Sequence, residues 1–475
     1  MNQFFGIFKK IIPRSLAVFF RPAYHYILAL LAAIFYWFPS QNLIVIGVTG
    51  TNGKSTVVEL IHAILTEAGF KTGSISSLRF KIGNKEQQNK LKMTMPGRFA
   101  LQKFLRESVS AGCEYAVLEV TSEGIKQYRN KFIKFDVAVI TNVTPEHIES
   151  HGSFENYLAA KMKLFEQVSC SRPDLFRSRS GLNDGVLIIN SDDPNAQKFL
   201  QFPANVKYVY NSGFISIEKN GSTQKISLTE KLVTPERISF KLQNTVISSR
   251  LIGEFNFYNI LAAVSIAISQ NIGLEKIKTA LAKIYGIPGR LEFVQKKPFA
   301  VVVDYAHTPD ALRKVYETLK ETCLMSHVPC RMICVLGSAG GGRDKWKRPE
   351  MGKIAAEFCD EIILTNEDPY DESPLDIIKD IEKGFSSKSQ IQKFAFSANS
   401  GASPVESQIV GFQPKSQTII NRREAIREAI KSARVGDTVI ITGKGAEPYI
   451  MGPNNTKIPW DDRKIVQDIL ENVKK

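Results

Sequence analysis

The chain has 475 residues, which is room for about three domains of ordinary size. With 43% hydrophobic and 23% charged residues, its composition is that of a globular protein and excludes a low-complexity chain. Six scattered cysteines without a C-x-x-C pair argue against a zinc ribbon or a disulfide framework and indicate a reducing cytosol.

A net charge of +15 fits nucleic acid, an anionic membrane surface or a polyanionic substrate. The sequence has no basic and aromatic run of the kind that nucleic-acid modules carry. We therefore favour membranes and phosphate-bearing substrates as partners and expect no nucleic acid. The oligomeric state is left open by the sequence.

The first forty residues are hydrophobic and basic, and no acidic residue precedes Glu59. Residues 24–38 are almost wholly apolar, but about 15 residues are short of the ~20 that span a bilayer. No small-residue cleavage site follows, so a secretory signal is not expected. Two interpretations stay open, a helix packed on the body or an interfacial membrane anchor; a true span is a weaker third. The anchor would use the basic residues Lys9, Lys10, Arg14 and Arg21.

Residues 43–56 have the pattern of a phosphate-binding loop. An apolar run at 43–48 predicts a strand, a Gly-rich turn follows, and a helical pattern begins after Lys54. Gly50 and Gly53 permit a tight turn whose N–H groups can bind phosphate, Lys54 supplies a charge, and Ser55 offers a hydroxyl to Mg²⁺. The predicted nucleotide-binding residues are Thr49, Gly50, Thr51, Asn52, Gly53, Lys54, Ser55 and Thr56.

The rest of the chain alternates strand and helix patterns, which indicates mostly parallel sheets. We predict a helix at 57–68, strands at 115–120, 135–141 and 186–190, short antiparallel segments within 207–251, and a helix at 256–270. A Pro-Gly break at 286–290 then precedes strands at 300–303, 332–336, 361–364 and 438–441, with a helix at 422–432.

The predicted fold class is therefore α/β. It has a central P-loop-type, mostly parallel sheet domain and a C-terminal Rossmann-like α/β domain, preceded by a short hydrophobic N-terminal helix. We expect the N-terminal segment at 1–40, the ATP-binding domain at 41–290 and the C-terminal domain at 291–475.

Several motifs resemble one family in order. The loop Thr-Gly-Thr-Asn-Gly-Lys-Ser-Thr resembles that of the Mur ligases, and the later segments resemble the branch that adds the third peptide residue. The resemblance covers about 43–470 and is carried by 118–122, 141–147, 157–165, 253–259, 288–292, 304–310, 341–349, 443–447 and 461–463.

The resemblance implies an ATP-dependent amide-bond ligase that adds an amino acid to a muramoyl-peptide precursor of peptidoglycan through an acyl phosphate. Mg²⁺ must neutralise the phosphates during transfer. The resemblance implies metal-site roles for Glu119 and His147, and places Ser55 on the nucleotide-linked ion. It also implies that Lys161 is carbamylated, which turns a cation into a metal-binding carboxylate. The predicted catalytic residues are Lys54, Lys161, Glu119 and His147, and the predicted metal-site residues are Ser55, Glu119, His147 and Lys161.

Further roles are implied on the nucleotide and substrate sides. The resemblance places Asn256 or Asn259 near the adenine, although helix capping is the alternative for this pair. It places Arg290 and Asp304 near the ribose and phosphates. It gives His307 an ATP-site role, whose alternative is a loop histidine with satisfied hydrogen bonds. The implied substrate-binding residues are Thr94, Pro96, Arg343, Asp368, Gly443 and Glu447.

Three departures from the family pattern matter. Only about forty residues precede the loop, where the family has a domain that holds the UDP moiety, so a lipid-linked acceptor is an alternative to a UDP-linked one. Tyr370 stands where diaminopimelate-adding members have an arginine, and the acidic residues of 367–372 favour a cationic amino acid or form a solvated loop. Two family histidines are replaced by Glu123 and Ala446, to which no role is carried.

Two other functions remain as alternatives. One is a ligase of the same type acting on another γ-glutamyl acceptor, as in folylpolyglutamate synthases, and the other is a non-catalytic, membrane-associated nucleotide-binding protein. The leading hypothesis implies a cytoplasmic enzyme, with peripheral contact to the inner face of the cytoplasmic membrane as an option.

Overall fold

The computed structural model describes residues 14–91, 93–169, 185–325, 330–385 and 414–473. The chain divides into two compact units. The first contains the chain up to Pro145, His151–Val233 and Arg237–Tyr285. The second contains Glu146–Ser150, Thr234–Glu236 and the chain from Gly286 onward.

The first unit is built on a sheet of twelve strands. In spatial order, and numbered along the chain, they are β12 (Thr245–Ser249), β11 (Ile238–Leu242), β10 (Ser222–Val233), β9 (Phe214–Lys219), β8 (Val206–Tyr210), β7 (Val186–Asn190), β6 (Val137–Ile140), β1 (Ile44–Thr49), β5 (Tyr115–Glu119), β2 (Thr72–Ile75), β3 (Arg79–Ile82) and β4 (Lys85–Gln88). The six strands from β8 to β2 are parallel, and the strands on both flanks are antiparallel. This arrangement confirms the predicted α/β class for this part of the chain.

The helices of this stretch of chain cover or connect the sheet. They are α1 (Arg14–Phe35), α2 (Lys54–Glu67), α3 (Arg98–Ser110), α4 (Ser122–Lys126), α5 (Ile148–His151), α6 (Phe154–Ser169), α7 (Ala196–Leu200), α8 (Glu254–Ser269) and α9 (Leu274–Ala282). The central strands are buried on both faces and read as continuous apolar runs, as expected for parallel strands between helices.

Helix α1 has two different faces. Its small residues Ala29, Ala32 and Ala33 are at most 1% exposed, and the helix packs on α3. The opposite face carries an exposed apolar stripe with the helical spacing of four and three residues. The apolar stripe consists of Phe20, Tyr24, Ile27, Leu31 and Ile34. No described helix is long and apolar enough to cross a membrane, and Lys9 and Lys10 lie outside the described residues.

The second unit has a six-stranded sheet that is parallel except for its first strand. The spatial order is β13 (Glu292–Gln295), β14 (Ala300–Val303), β18 (Thr438–Ile441), β15 (Met332–Leu336), β16 (Glu361–Leu364) and β17 (Lys415–Thr418), with a separate hairpin of β19 (Tyr449–Met451) and β20 (Lys457–Pro459). Its helices are α10 (Pro309–Met325), α11 (Lys347–Phe358), α12 (Pro374–Glu382), α13 (Arg422–Ser432) and α14 (Asp462–Val473). A disulfide joins Cys323 to Cys330, a link that the sequence analysis does not predict.

Candidate active-site residues

The phosphate-binding loop connects β1 to α2 where the order of the parallel sheet reverses. Strand β1 pairs with β5 on one side and with β6 on the other, so the strand order runs in opposite directions from β1. Ligands of open α/β sheets bind at the carboxyl ends of the strands beside such a switch point. The fold therefore places the predicted loop at the position where a nucleotide binds in this architecture.

Two glycines of the loop cannot be replaced without strain. Gly50 has φ +148°, and a Cβ there would lie 1.9 Å from the Thr141 Oγ1 atom. Gly53 has φ +84°, and a Cβ there would lie 2.2 Å from the Asn259 Oδ1 atom. Only glycine allows the backbone to turn this closely against both side chains.

The loop is also fixed by hydrogen bonds with the segment that follows β6 and with α6. The Asn52 N–H donates to Asn142 Oδ1 at 3.0 Å, and the Thr141 hydroxyl donates to the Asn52 carbonyl at 2.7 Å. The Thr51 hydroxyl lies 2.9 Å from the Tyr157 hydroxyl on α6. These contacts within the protein hold the phosphate-binding loop in shape.

Lys54, Ser55 and Glu119 meet at the start of α2. The Ser55 hydroxyl donates to Glu119 Oε2 at 2.8 Å, and Lys54 Nζ lies 4.0 Å from Glu119 Oε1. Glu119 is the last residue of β5 and is 3% exposed. A hydroxyl and a carboxylate beside a phosphate loop are hard oxygen donors, the type that Mg²⁺ prefers. The residues present therefore fit this ion.

Lys161 lies beneath the same loop. It is 1% exposed on α6, donates from Nζ to the Gly50 carbonyl at 2.6 Å and lies 4.3 Å from the centre of the Tyr157 ring. The structure therefore places Lys161 at the phosphate loop.

Asn256 and Asn259 lie on α8, and Asn259 Nδ2 donates to Asn256 Oδ1 at 3.0 Å. The helix begins after Gly253 and neither asparagine caps it, so the alternative of helix capping is wrong. Because Asn259 Oδ1 lies against Gly53, this pair adjoins the phosphate loop.

Thr94 and Pro96 lie in the segment before α3, in the same unit. Met95 between them is 2% exposed, and its sulfur packs so closely on Gly124 that a Cβ at Gly124 would lie 2.4 Å from it. The segment is therefore fixed against α4, which follows the strand of Glu119. Thr56, the last residue of the predicted loop, is 3% exposed in α2.

His147 belongs to the second unit, in the short segment Glu146–Ser150. Its Nε2 atom lies 3.9 Å from Glu146 Oε1, while His307 Nε2 lies 3.3 Å from the same oxygen. Burial favours the neutral acid, yet His147 and His307 hold the pKa of Glu146 well below its ordinary value. Lys347 donates to the His307 carbonyl at 2.9 Å, and burial lowers its pKa.

The predicted nucleotide residues Arg290 and Asp304 also lie in the second unit. Asp304 accepts the backbone N–H groups of Leu291 and Ala306, each at 2.6 Å, and burial raises its pKa. The Arg290 guanidinium lies 4.2 Å from the centre of the Tyr305 ring. His307 Nδ1 lies 2.9 Å from the Tyr305 carbonyl, so both of its ring nitrogens have neighbours inside this unit.

Lys444 forms ion pairs with two acidic residues of the predicted amino-acid site, Asp368 and Glu447. Its Nζ lies 2.8 Å from Asp368 Oδ1 and 2.6 Å from Glu447 Oε2, and it is 0% exposed. The Tyr305 hydroxyl donates to Glu447 Oε1 at 3.1 Å. Gly443 has φ +102°, and a Cβ there would lie 2.4 Å from Glu367 Oε2.

The acidic surplus of 367–372 is largely compensated inside the protein. Asp368 pairs with Lys444, and Glu372 lies 2.9 Å from the Arg348 guanidinium. Glu367 is fully buried, and burial raises its pKa toward the neutral acid. Most of the negative charge that was expected to favour a cationic amino acid is therefore already paired or neutralised within the protein.

The Tyr370 side chain interacts electrostatically with Arg343. Burial opposes the charged form of Arg343, but the Tyr370 and Tyr305 side chains raise its pKa above the ordinary value. Tyr370 thus lies near the arginine from which we expect substrate binding.

Sequence reasoning gave no role to Glu146, Lys347, Lys444 or Tyr305. The signal was present, because each lies inside or beside a segment already singled out by motif. Within the described residues, no group of three or more His, Cys, Asp or Glu side chains is arranged to hold a metal.

Comparison with known proteins assigns both units to domain families. Residues 48–267 match the Mur ligase middle domain, and residues 289–445 match the Mur ligase glutamate ligase domain. The chain is 36% identical over 452 residues to the UDP-N-acetylmuramoyl-L-alanyl-D-glutamate–2,6-diaminopimelate ligase of Syntrophomonas wolfei, with 93% of this chain and 81% of the relative covered. It is 35% identical over 450 residues to the enzyme of the same name from Clostridium perfringens, with 94% and 82% covered.

Solved structures give the same picture. A diaminopimelate ligase of this type superposes with a TM-score of 0.54 at 28% identity, covering 91% of this chain and 79% of the other. Folylpolyglutamate synthase from Mycobacterium tuberculosis superposes with a TM-score of 0.63 at 17% identity, covering 87% and 91%. At that identity the second likeness shows a shared fold alone.

Proposed function

Since the chain belongs to the Mur ligase family, whose members are ATP-dependent ligases, we propose that it adds an amino acid to a muramoyl-peptide precursor of peptidoglycan. The relatives named above carry this substrate in their names. The observation that most supports the proposal is the meeting of Lys54, Ser55 and Glu119 at the phosphate loop. The bounds 1–40, 41–290 and 291–475 remain our proposed division of the chain.

The reaction consists of two transfers. An acceptor carboxylate oxygen attacks the γ-phosphorus of ATP, ADP leaves, and an acyl phosphate forms. The amine of the incoming amino acid then attacks the acyl carbon, and phosphate leaves with the carboxylate oxygen as the amide forms and the amine loses a proton. When bound with the nucleotide, Mg²⁺ would supply positive charge to neutralise the phosphates during the first transfer.

The residues of the first unit divide the work of the first transfer. Lys54 would hold the β- and γ-phosphates, and the N–H groups of the loop would bind the remaining oxygens. Ser55 and Glu119 would hold the ion through oxygen atoms. The hydrogen bonds from Thr141 and Asn142 keep the loop in this shape before substrate arrives.

Carbamylation of Lys161 is part of the proposal. A neutral lysine amine adds to carbon dioxide and releases a proton, which leaves a carbamate anion on Nζ. The burial of Lys161 and its position at the Gly50 carbonyl support this role, because a carbamate there would add oxygen donors at the phosphate loop. A metal-site role for His147, which belongs to the second unit, is a separate part of the proposal.

In the second unit, Arg343 would bind the α-carboxylate of the incoming amino acid with its planar fork. Glu447, positioned by Lys444 and Tyr305, would accept a hydrogen bond from an amino group. Asp368 and Gly443 would belong to the same amino-acid site. The nucleotide would be bound by Arg290, Asp304 and His307.

We place the enzyme in the cytoplasm, where ATP and muramoyl peptides are available, and propose peripheral contact with the inner face of the cytoplasmic membrane. The apolar stripe of α1 supports this contact, since its five residues are 47–56% exposed and no charge interrupts 22–41.

Amino-acid-dependent release of ADP tests the proposal. The acceptor is offered either UDP-linked or lipid-linked, each with diaminopimelate, lysine, ornithine and alanine. We expect ADP release that requires both acceptor and one of these amino acids. ADP release that ignores every muramoyl peptide would refute the proposed substrate class.

A further inference from the structure

The exposed apolar surface of the first unit extends beyond the apolar stripe of α1. Phe35 follows Leu31 by four residues, which places it on the same face of the helix, and it is 68% exposed. The centre of its ring lies 6.3 Å from that of Phe99, a residue near the start of α3 that is 42% exposed. The apolar stripe is therefore continuous with the surface of a second helix.

Exposed apolar side chains also flank Thr94 and Pro96, the residues from which we expect acceptor binding. Leu91 and Met93 precede this pair and are 41% and 42% exposed, and Phe99 follows it. Met95, between the two, is buried, so the segment is anchored in the protein while its flanks are exposed. Exposed apolar side chains grouped in this way mark a site of interaction with a protein or a membrane.

The end of α1 is turned so that an indole faces solvent. Trp37 and Phe38 have φ values of +58° and +44°, a left-handed conformation that bulky residues rarely adopt. The Phe38 N–H donates to the Ala33 carbonyl at 2.8 Å, which fixes the turn, and Trp37 is 77% exposed. Such backbone strain is found mainly where the position of a side chain matters for function. An exposed indole suits the boundary between a bilayer and water, because its ring is apolar and its N–H stays hydrated.

We propose that the acceptor of this enzyme is a lipid-linked muramoyl peptide, which the enzyme binds while this apolar surface rests on the bilayer. The inference rests on the proposed function, because that function assigns Thr94 and Pro96 to the acceptor. A water-soluble acceptor needs no apolar surface beside its binding segment, whereas a lipid-linked one has to be reached at the membrane. Insertion of the apolar stripe would bring the segment to the level of the headgroups, where the muramoyl peptide of such an acceptor lies.

Charge favours a membrane over a second copy of the chain as the partner of this surface. Arg14 and Arg21 on α1 precede the uncharged residues 22–41, and no acidic residue occurs before Glu59. Anionic headgroups attract a basic helix end of this kind. A second copy would present the same basic residues and would offer no acidic partner from its own α1.

Turnover of two acceptors with the same muramoyl peptide tests the inference. One carries a long polyprenyl chain and is embedded in vesicles of phosphatidylglycerol and phosphatidylcholine, and the other carries a short prenyl chain and dissolves in water. The tested enzyme combines Met93→Ser with Phe99→Ser. Its KM for the embedded acceptor should rise at least about tenfold, because two apolar anchors are lost, while its KM for the soluble acceptor stays within about threefold. An equal rise in both KM values would show a merely structural effect and would contradict the inference.

The matched control combines Leu232→Ser with Val246→Ser, which removes two side chains of similar exposure from the sheet of the same unit. Both KM values should be unchanged in this control. Trp37 provides a second measurement that does not depend on activity. Its fluorescence should shift to shorter wavelength on the vesicles in wild type and in Trp346→Phe, and the shift should be absent in Trp37→Phe.

Three further results would decide against the lipid-linked acceptor. Turnover of a UDP-linked acceptor as efficient as that of the embedded one, and indifferent to vesicles, would overturn the inference and leave the proposed function intact. Dimers that the Met93→Ser and Phe99→Ser changes dissociate, formed by a chain that ignores vesicles, would assign the surface to a second copy. Absence of turnover with every muramoyl peptide, despite the Trp37 shift on vesicles, would reject the proposed function and this acceptor with it.

Discussion

The Ser55 hydroxyl donates a hydrogen bond to Glu119 Oε2 at 2.8 Å, and the same oxygen accepts the Ser77 N–H at 2.9 Å. Ser55 lies in the first turn of α2 and Glu119 at the end of β5, 64 residues away in sequence. The parallel sheet therefore joins two oxygen donors that the sequence separates. This contact places a carboxylate beside a phosphate loop before any nucleotide binds.

Replacing Lys54 by alanine should reduce ADP release by about 100-fold or more, because the variant loses the ammonium group that would bind the β- and γ-phosphates. The fold should survive, since Lys54 contributes one hydrogen bond to the Thr51 carbonyl. Steady-state kinetics and a melting curve check both expectations. Lys276→Ala, at an exposed position of α9, is the control, and a Lys54→Ala enzyme with more than a tenth of normal turnover would remove the loop assignment.

Lys161 should carry one added carbon dioxide in the active enzyme, detectable by native mass spectrometry in bicarbonate buffer. Lys161→Ala should be nearly inactive and partly rescued by a short carboxylic acid, which supplies the missing anionic oxygens. Lys161→Arg is the control, because it keeps a cation near the Gly50 carbonyl but cannot be carbamylated. Full activity of either variant would contradict the modification.

Arg343→Lys should raise the KM for the amino acid at least about tenfold and leave the KM for ATP nearly unchanged. A point charge does not reproduce the planar fork that binds a carboxylate. Arg427→Lys, on the exposed face of α13, controls for the general effect of the substitution. Equal changes in both KM values would move Arg343 to the nucleotide site.

The apolar stripe should be needed for membrane contact and not for folding. Changing Ile27, Leu31 and Ile34 together to serine should abolish co-sedimentation with anionic vesicles, because exposed apolar side chains drive interfacial insertion. The melting temperature should change little, since each of these residues is about half exposed. The control changes Val246, Val435 and Ile458, which are exposed elsewhere, to serine. Equal vesicle binding by wild type and the stripe variant would rule out this surface.

Protonation of His62 should lower the free energy of unfolding of the first unit as the pH falls from about 6.5 to about 4. Burial lowers its pKa from 6.5 to about 4, with the facing charges of Lys81 and Arg79 lowering it further and those of Glu59 and Glu86 opposing them. Because the unfolded chain binds the proton more tightly, stability is present above pH 6.5 and is lost toward pH 4, by about 3 kcal/mol.

Denaturant unfolding at a series of pH values measures this loss. His62→Leu should flatten the dependence between pH 6.5 and pH 4, while Glu59, whose pKa is also lowered, keeps a further loss of stability below pH 4.5. An unchanged slope in His62→Leu would show that another group titrates in this window.

Much of the fold follows from sequence pattern alone. The strands Val186–Asn190, Ala300–Val303, Met332–Leu336 and Thr438–Ile441 agree with the predicted bounds, because continuous apolar runs between turns define buried parallel strands. The predicted helix at 57–68 begins three residues earlier, at Lys54. The first turn of that helix is polar, so hydrophobic periodicity cannot mark its start.

Pairing between distant segments could not be predicted from local pattern. The neutralisation of Asp368 by Lys444 joins residues 76 positions apart, so the acidic run at 367–372 appears unbalanced in sequence and balanced in the fold. The two interpretations of the N-terminal helix, packing on the body and membrane contact, do not exclude each other, because they concern different faces of the helix. One face packs on α3 through Ala29, Ala32 and Ala33, while the other exposes the apolar stripe.

Transfer of isotopic oxygen tests the acyl-phosphate mechanism most directly. The acceptor carboxylate is labelled with heavy oxygen, the enzyme is given ATP and the amino acid that supports turnover, and the released phosphate is analysed by mass spectrometry. We expect one labelled oxygen in each phosphate, because the carboxylate oxygen leaves with phosphorus when the amide forms. Phosphate without the label, formed while ADP is released and amide accumulates, would contradict it.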